Sequence, residues 1–415
     1  MTLRGTLSIF ACAFLAEVVA PVHAALPISQ EDLQVSAYVD GGRFQLADSS
    51  VDGEVLNRMG SRWLIDKQID DHWSAMATLQ WMFWRNQATD IALFHVAGLK
   101  FDSDLQGILR YKTGNSLFKG GLYEFKYNPD SKNLGEYLLR SEAYPTLVES
   151  SQGKDLLAYS YSRVMGVEYG LHGERFSHTA LLYAEQFNVP VNDLSAVYLA
   201  TYGSETAELG LGVAYHRFLD LGKKMNNNVL APAQRQYVEA NNLETKAVKL
   251  SLRGRVDFGA MQTSLEGFKL YAEAALLGLK SDTLFYKNMK ERLPVMMGVD
   301  IPTHGFLNTL SVETEYFGNP YYERKYSIKD ANGGNFSPLP FIDDYQAVNI
   351  PHVSKDDWRW SVYVHKALNK WIDFKVRGAS DHLRLLNWDG DYEGGTPMTR
   401  RTKDFYILAR IEFHN

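Results

Sequence analysis

The sequence predicts an all-β chain, a transmembrane antiparallel β-barrel of about 16 strands. Three observations lead there. Segments of about ten residues alternate between apolar and polar side chains, an export signal precedes them, and the connections between them alternate between short and long. The last segment shows the alternation best. Phe405, Ile407, Ala409, Ile411 and Phe413 face one way, and Asp404, Tyr406, Leu408, Arg410 and Glu412 the other. A period of two is a strand with different surroundings on its two faces.

Residues 1–24 read as a cleavable secretory signal. Arg4 supplies the positive start, residues 7–16 the apolar stretch, and Val22-His23-Ala24 the small-residue cleavage pattern after Pro21. The apolar run is too short to anchor the chain as a membrane helix, which needs about 18 residues. The only cysteine, Cys12, lies inside this signal. The mature chain, 25–415, therefore has no disulfide, thiolate metal site or cysteine nucleophile. It reads as one domain with no linker and no later apolar stretch long enough for a spanning helix. The net charge is −6 and no basic block occurs, which argues against nucleic acid as a partner. The 24 Tyr, 21 Phe and 8 Trp suit a barrel that places rings at its two bilayer interfaces.

The elements follow in order. The first strand begins near Leu33. Residues 58–68 set Arg58, Arg62 and Asp66 against Met59, Trp63 and Ile65. After an Asp70-Asp71 turn, Trp73, Ala75, Ala77, Leu79, Trp81 and Phe83 alternate with Ser74, Thr78 and Gln80. Leu209, Leu211, Val213 and Tyr215 oppose Glu208, Gly210, Gly212 and His216. Val248, Leu250, Leu252 and Val256 oppose Lys249, Ser251, Arg253 and Arg255. Phe268, Leu270, Ala272, Ala274 and Leu276 oppose Lys269, Tyr271 and Glu273, and Leu310 and Val312 oppose Ser311, Glu313 and Glu315. Trp358, Trp360, Val362 and Val364 oppose Arg359, Ser361, Tyr363 and His365; Ile372, Phe374 and Val376 oppose Asp373, Lys375 and Arg377. Trp63, Trp73, Trp81, Trp358, Trp360 and Trp371 share faces with aliphatic residues and are expected on the lipid side.

Short turns fall at 70–72, 172–175, 203–206, 302–305 and 369–370, and long polar connections at 127–157, 220–243, 319–356 and 386–403. Within 88–116 either a strand at 91–101 or a loop followed by a strand at 105–112 fits. The second is preferred, because Thr113-Gly114-Asn115-Ser116 is the better turn. Either choice keeps the count even, and merging one weak hairpin would give about 14. Arg163 breaks the run of Tyr159, Tyr161, Met165, Val167 and Tyr169, and a bulge or a reach towards an interface is expected there.

The charges on the polar faces would line the lumen of a closed barrel: Arg58, Arg62, Arg110, Lys112, Glu124, Lys249, Arg253, Arg255, Glu313, Glu315, Arg359, Lys375, Arg377, Arg410 and Glu412. Rings of such charge hold water and select solutes. The connection 127–157 is too apolar for an exposed tip, with Leu134-Gly135-Glu136-Tyr137-Leu138-Leu139-Arg140-Ser141-Glu142-Ala143-Tyr144-Pro145 at its centre. Counted among all connections at the outer end, it is the third. In architecture and loop order the mature chain resembles the sixteen-stranded bacterial porins, and no specific sequence motif is shared. The resemblance implies that this loop folds into the lumen and narrows it. Because an apolar-rich loop stands beside strands with a basic inner face, Glu136, Arg140 and Glu142 are expected to meet wall charges drawn from Arg58, Arg62, Arg110 and Lys112. The chain departs from the usual pattern in ending His414-Asn415 after its last strand aromatic, Phe413.

No nucleophile elbow, zinc helix or phosphate loop is present, so no enzyme, cofactor or metal is predicted. His216, His365 and His382 are expected to be solvated or hydrogen-bonded, and Asp389-Gly390-Asp391-Tyr392-Glu393 lacks the full spacing of a calcium loop. The charged inner faces and the few residues before the first strand favour a water-filled outer-membrane diffusion channel for small hydrophilic solutes. A closed structural or adhesive barrel, or a transporter of a specific larger substrate, remains the alternative, although no apolar interior is evident in the sequence. The expected partners are outer-membrane lipid, the barrel-assembly machinery and periplasmic chaperones, and small hydrophilic solutes, with a homotrimer left open.

Overall fold

A computed structural model describes residues 29–45, 55–86, 99–140, 149–150, 157, 159, 161–184, 193–220, 246–279, 292–317, 328–329, 335–336, 358–381 and 403–415. The signal at 1–24, Glu142, His382 and the 389–393 segment lie outside them. Sixteen long strands run through the described chain. They are β1 Leu33–Gln45, β2 Val55–Gln68, β3 Trp73–Asn86, β4 Leu99–Thr113, β5 Ser116–Phe125, β6 Ser162–His172, β7 Phe176–Ala184 and β8 Asp193–Gly203. The second half continues with β9 Ala207–Asp220, β10 Ala247–Asp257, β11 Lys269–Leu277, β12 Val295–Asp300, β13 Thr309–Tyr316, β14 Trp358–Asn369, β15 Ile372–Ser380 and β16 Phe405–His414.

Each strand pairs antiparallel with the next, and β16 returns to β1 in register from Ser36↔His414 to Gln45↔Phe405. The sheet is closed and leaves no edge, which is what a wall in hydrocarbon requires. The strand within 88–116 begins at Leu99, earlier than the alternation alone indicates, and turns at 114–115 as expected. Gly114, at φ 53°, takes the left-handed conformation of that two-residue turn. At the next short turn, Asp70 accepts from His72 N and Trp73 N, each at 2.8 Å, an aspartate turn that fixes where β3 begins. The start of β1 and the end of β16 lie at the short-turn rim, where Val35 N donates to Asn415 Oδ1 at 2.9 Å. The turn between β10 and β11 is longer than the others there and carries a helical turn, Phe258–Met261.

The alternation sorts the two faces. Val39, Leu79, Leu105, Leu211, Ile407 and Ile411 point outward and are exposed, while Tyr38, Asp40, Arg58, Gln106, Tyr406 and Arg410 point inward and are buried. Apolar side chains exposed over most strands far exceed the patch of a few hundred Å² usual on a water-soluble monomer. With sixteen closed strands, this is the surface of a transmembrane barrel. No helix among the described residues is long and apolar enough to cross a membrane. Outward rings cluster towards the rims: Trp73, Tyr111, Phe118 and Tyr169 run ring to ring at 4.7, 6.3 and 4.7 Å near the short turns. Tyr316 and Trp358 meet at 5.3 Å near the long loops.

Two sequence expectations change in detail. Trp63 shares the outward face but is only 6% exposed, packed at 4.9 Å on Trp81. At Arg163 the ladder to β5 continues without a bulge, and Arg163 Nη2 donates to Leu105 O at 3.3 Å. Its charge is thus met by backbone on the outward face.

Candidate functional site

The chain leaves β5 at the long-loop rim and turns into the barrel, so that residues 126–140 lie inside it. Leu134, Leu138, Leu139 and Tyr137 are all fully buried. Gly135 and Glu136, at φ 80° and 61°, form a left-handed corner that directs a run of backbone N–H groups outward from the loop. Gly suits that corner and Glu pays a backbone strain of about 1 kcal/mol or more.

Six successive N–H groups, from Lys132 to Tyr137, donate to three carboxylates on the far wall. Glu313 on β13 accepts from Lys132 N, from Asn133 N at 2.8 Å and from Leu134 N at 2.9 Å. Glu315 accepts from Gly135 N and from Arg140 Nη2, each at 3.1 Å. Glu273 on β11 accepts from Glu136 N at 2.9 Å, Tyr137 N at 2.8 Å, Asn128 Nδ2 at 2.9 Å and the Tyr127 hydroxyl. Consecutive N–H groups in such a corner form an anion nest, and here the wall supplies the anions. Lys249 Nζ donates to Tyr137 O at 2.8 Å and Arg377 Nη2 to Lys132 O at 3.2 Å, so the loop carbonyls are held as well.

The other side of the loop is apolar. Leu138 and Leu139 pack into a cluster with Ile108, Tyr123, Phe125, Val164, Leu181, Tyr183, Val197 and Ala214, drawn from the inner faces of β4–β9. Leu138 Cδ1 would lie 2.5 Å from a Cβ at Gly212, so the absence of a side chain there makes the seat. The interior is therefore apolar over this sector, contrary to the sequence expectation. Where the loop lies against them, β6–β8 carry apolar side chains on the inner face too, at Val164, Leu181 and Val197.

The expected pairing of the loop with Arg58, Arg62, Arg110 and Lys112 is not what holds it. Glu136 takes Asn128 N at 2.9 Å, Tyr127 N at 3.3 Å and Lys126 Nζ at 3.5 Å, all within the loop itself. Arg140 goes to Glu315. The inner-wall arginines pair with neighbours on the wall: Arg58 and Arg410 both clamp Asp40, Arg410 at 2.6 and 2.9 Å. Arg62 meets Glu124 at 3.1 Å and Arg110 meets Asp66 at 3.2 Å. The physical reason is reach: Arg58 and Arg410 meet Asp40 on the adjacent strand, and the extended side chains of Arg62 and Arg110 span intervening strands to Glu124 and Asp66 on the same wall, while the loop is drawn to the opposite wall by its N–H groups.

The remaining sequence candidates divide by exposure. Lys249, Glu313, Glu315, Arg359 and Arg377 point inward but are at most 2% exposed, so they anchor or pack rather than meet water. Arg253 bonds Glu208 at 2.6 Å, Arg255 lies 3.7 Å from Glu208, and Lys375 meets Glu412 at 2.5 Å, all towards the short-turn rim and partly open. His216 is buried against the Tyr183 hydroxyl at 2.9 Å and His365 lies 3.3 Å from Asp373. Glu273, Asp40 and Asp381 were not singled out by sequence. Asp381 accepts from Asn133 Nδ2 and the Tyr406 hydroxyl, each at 2.6 Å.

Burial pushes the Glu136 carboxyl up to about 7, with Lys126 opposing and Glu273 adding to the rise. A carboxyl raised in the docked loop favours docking below its ordinary value, and that contribution is lost as pH rises through about 7. Amides 132–137 should therefore exchange more slowly with solvent deuterium at pH 5 than at pH 8, after correction for intrinsic rates. Glu136→Gln should remove this pH dependence; an unchanged dependence would rule out Glu136 as its source.

No family model and no curated protein matches the chain. Among solved structures, it is similar to a mutant of the Rh. blastica porin at 7% identity, over 92% of this chain and 99% of that one, with a TM-score of 0.46. It is also similar to Salmonella typhi OmpF in complex with daunomycin, at 11% identity, 92% and 97% coverage and a TM-score of 0.47. A third is the high-pH structure of Pseudomonas putida OprB, at 9% identity, 92% and 93% coverage and a TM-score of 0.44.

Proposed function

We propose that this barrel is an outer-membrane channel through which small hydrophilic solutes diffuse, with the loop 126–140 as its constriction. The observation that carries the reading is the asymmetry of the interior. The loop fills the side bounded by β5–β13, while Arg62, Glu124, Arg110 and Asp66, on β2, β4 and β5, keep side chains 27–43% exposed. A lumen with open charge on one wall holds water and conducts. The chain would reach its site through a cleaved signal at 1–24, periplasmic chaperones and the barrel-assembly machinery, and a homotrimer is compatible with the apolar exterior.

A closed structural barrel is the second reading. It is favoured by the mid-wall arginines Arg58, Arg377 and Arg410, all at most 6% exposed. Single-channel recording in planar bilayers separates the two. The channel reading expects discrete conductance steps from the intact barrel and larger steps when residues 135–145 are deleted. Inserted protein without steps, before and after the deletion, would leave only the closed barrel.

A further inference from the structure

We propose that the short-turn rim between β12 and β16 binds anionic phospholipid; this goes beyond the channel reading and holds for an open or a closed lumen. Two stretches build the surface, 301–308 and 366–371. They are tied together: Lys366 Nζ donates to Gly305 O at 3.0 Å, Ala367 N to Asn308 Oδ1 at 2.6 Å and Asn308 N to His365 O at 2.9 Å. His304 and Gly305, at φ 48° and 80°, form a left-handed corner, and Phe306 beside them is 78% exposed. Leu368 and Trp371 are exposed on the neighbouring turn, where Lys370 Nζ lies 4.3 Å from the Trp371 ring centroid. Apolar side chains thus adjoin two ammonium groups.

The charge of this surface is one-sided. Neither stretch contains Asp or Glu, and Lys366 and Lys370 have no acidic partner among the described residues. The acids on the adjoining strand ends, Asp300, Asp373 and Glu412, face the lumen, where Lys132, His365 with His414, and Lys375 meet them. Other turns of this rim differ: Asp70 and Asp71, Glu174, Glu205 and Glu266 put acid into four of them, and 114–115 carries no charge. Lys366 pairs with Phe374 and faces outward with it. Among the described residues, no other charged side chain faces outward in the short-turn half of β12–β16. A lysine on the lipid face is tolerated where its stem lies along apolar wall and its ammonium reaches the headgroups. An aromatic belt alone would account for Phe306 and Trp371, but not for cations without acids. A phosphodiester at Lys366 and Lys370, with its acyl chains on the outer face of β13–β15, accounts for both. Attraction to an anionic headgroup is worth about fivefold in affinity for each lysine.

The test is native mass spectrometry of the intact barrel released from nanodiscs that hold equal amounts of phosphatidylglycerol and phosphatidylethanolamine. The barrel should retain phosphatidylglycerol over phosphatidylethanolamine by about fivefold or more. Lys366→Gln together with Lys370→Gln should bring the ratio close to one, while Arg175→Gln, at another turn of the rim, should leave it unchanged. Phe306→Ser should lower the total lipid retained with little change in the ratio. Equal retention of the two lipids by the wild type overturns the proposal. So does an enrichment that survives the double substitution or falls equally in Arg175→Gln. An oligomer that dissociates on Phe306→Ser without loss of lipid also overturns it, and makes this surface a contact between copies of the chain.

Discussion

Glu273→Ala should undock the loop. This carboxylate accepts from two backbone N–H groups, one amide and one hydroxyl, all on the loop. Each stranded donor costs about 1–3 kcal/mol, and relaxation towards lumen water reduces the sum to an expected 3–5 kcal/mol or so against docking. Loss of a single wall side chain should then raise single-channel conductance towards that of the loop deletion, and amides 132–137 should lose protection together. Glu273→Gln keeps an acceptor oxygen and should fall between the two. Wild-type conductance and wild-type protection in Glu273→Ala would show that Glu313, Glu315 and the apolar seat hold the loop unaided.

The second large effect is expected at Asp40. Arg58 and Arg410 approach it from the strands on either side of β1, and the Arg410 guanidinium lies 3.9 Å from the Tyr38 ring centroid. Asp40→Ala leaves two buried guanidinium groups, from β16 and β2, facing each other across β1. Removing one partner of a buried ion pair costs about 3–5 kcal/mol. The variant barrel should unfold at distinctly lower denaturant concentration, and Asp40→Asn should restore only part of the loss because it accepts without charge. Adding Arg410→Leu to Asp40→Ala should recover stability, since the repulsion goes with the charge; failure to recover would mean that Asp40 acts through packing alone.

The wall was legible in the sequence and the site was not, and the two differ in range. A strand is encoded by its own period, so Trp358 to His365 or Phe405 to Phe413 reveal their faces without reference to anything distant. The two-residue turn at Gly114-Asn115 and the aspartate turn at Asp70 are equally local. The anchoring of the loop joins residues 137 positions apart, as for Glu136 N and Glu273, and nothing local separates Glu273 from any other inward charge. The assumption that basic wall groups meet acidic loop groups failed because backbone N–H groups, which every residue carries, supplied the donors. One signal was available. Ala180-Leu181-Leu182 and Ala196-Val197-Tyr198-Leu199 are apolar on both faces, which in a barrel wall means that something apolar covers the inner one.

The closure of the barrel bears on the order in which it can be built. Fifteen of its sixteen seams join strands that follow one another in the chain, so each can zip as its second strand arrives. The sixteenth joins β1 to β16, and the bond from Val35 N to Asn415 Oδ1 spans 380 positions. The entropy of closing a loop that long must be met before the contact returns anything, so this seam forms last. Until then the growing sheet carries two bare edges, each a template for pairing with another chain. A protein truncated before Phe405 would keep its hairpins and never lose those edges. Its fate is aggregation rather than a smaller pore, and the last ten or so residues decide whether the preceding strands become a membrane protein at all.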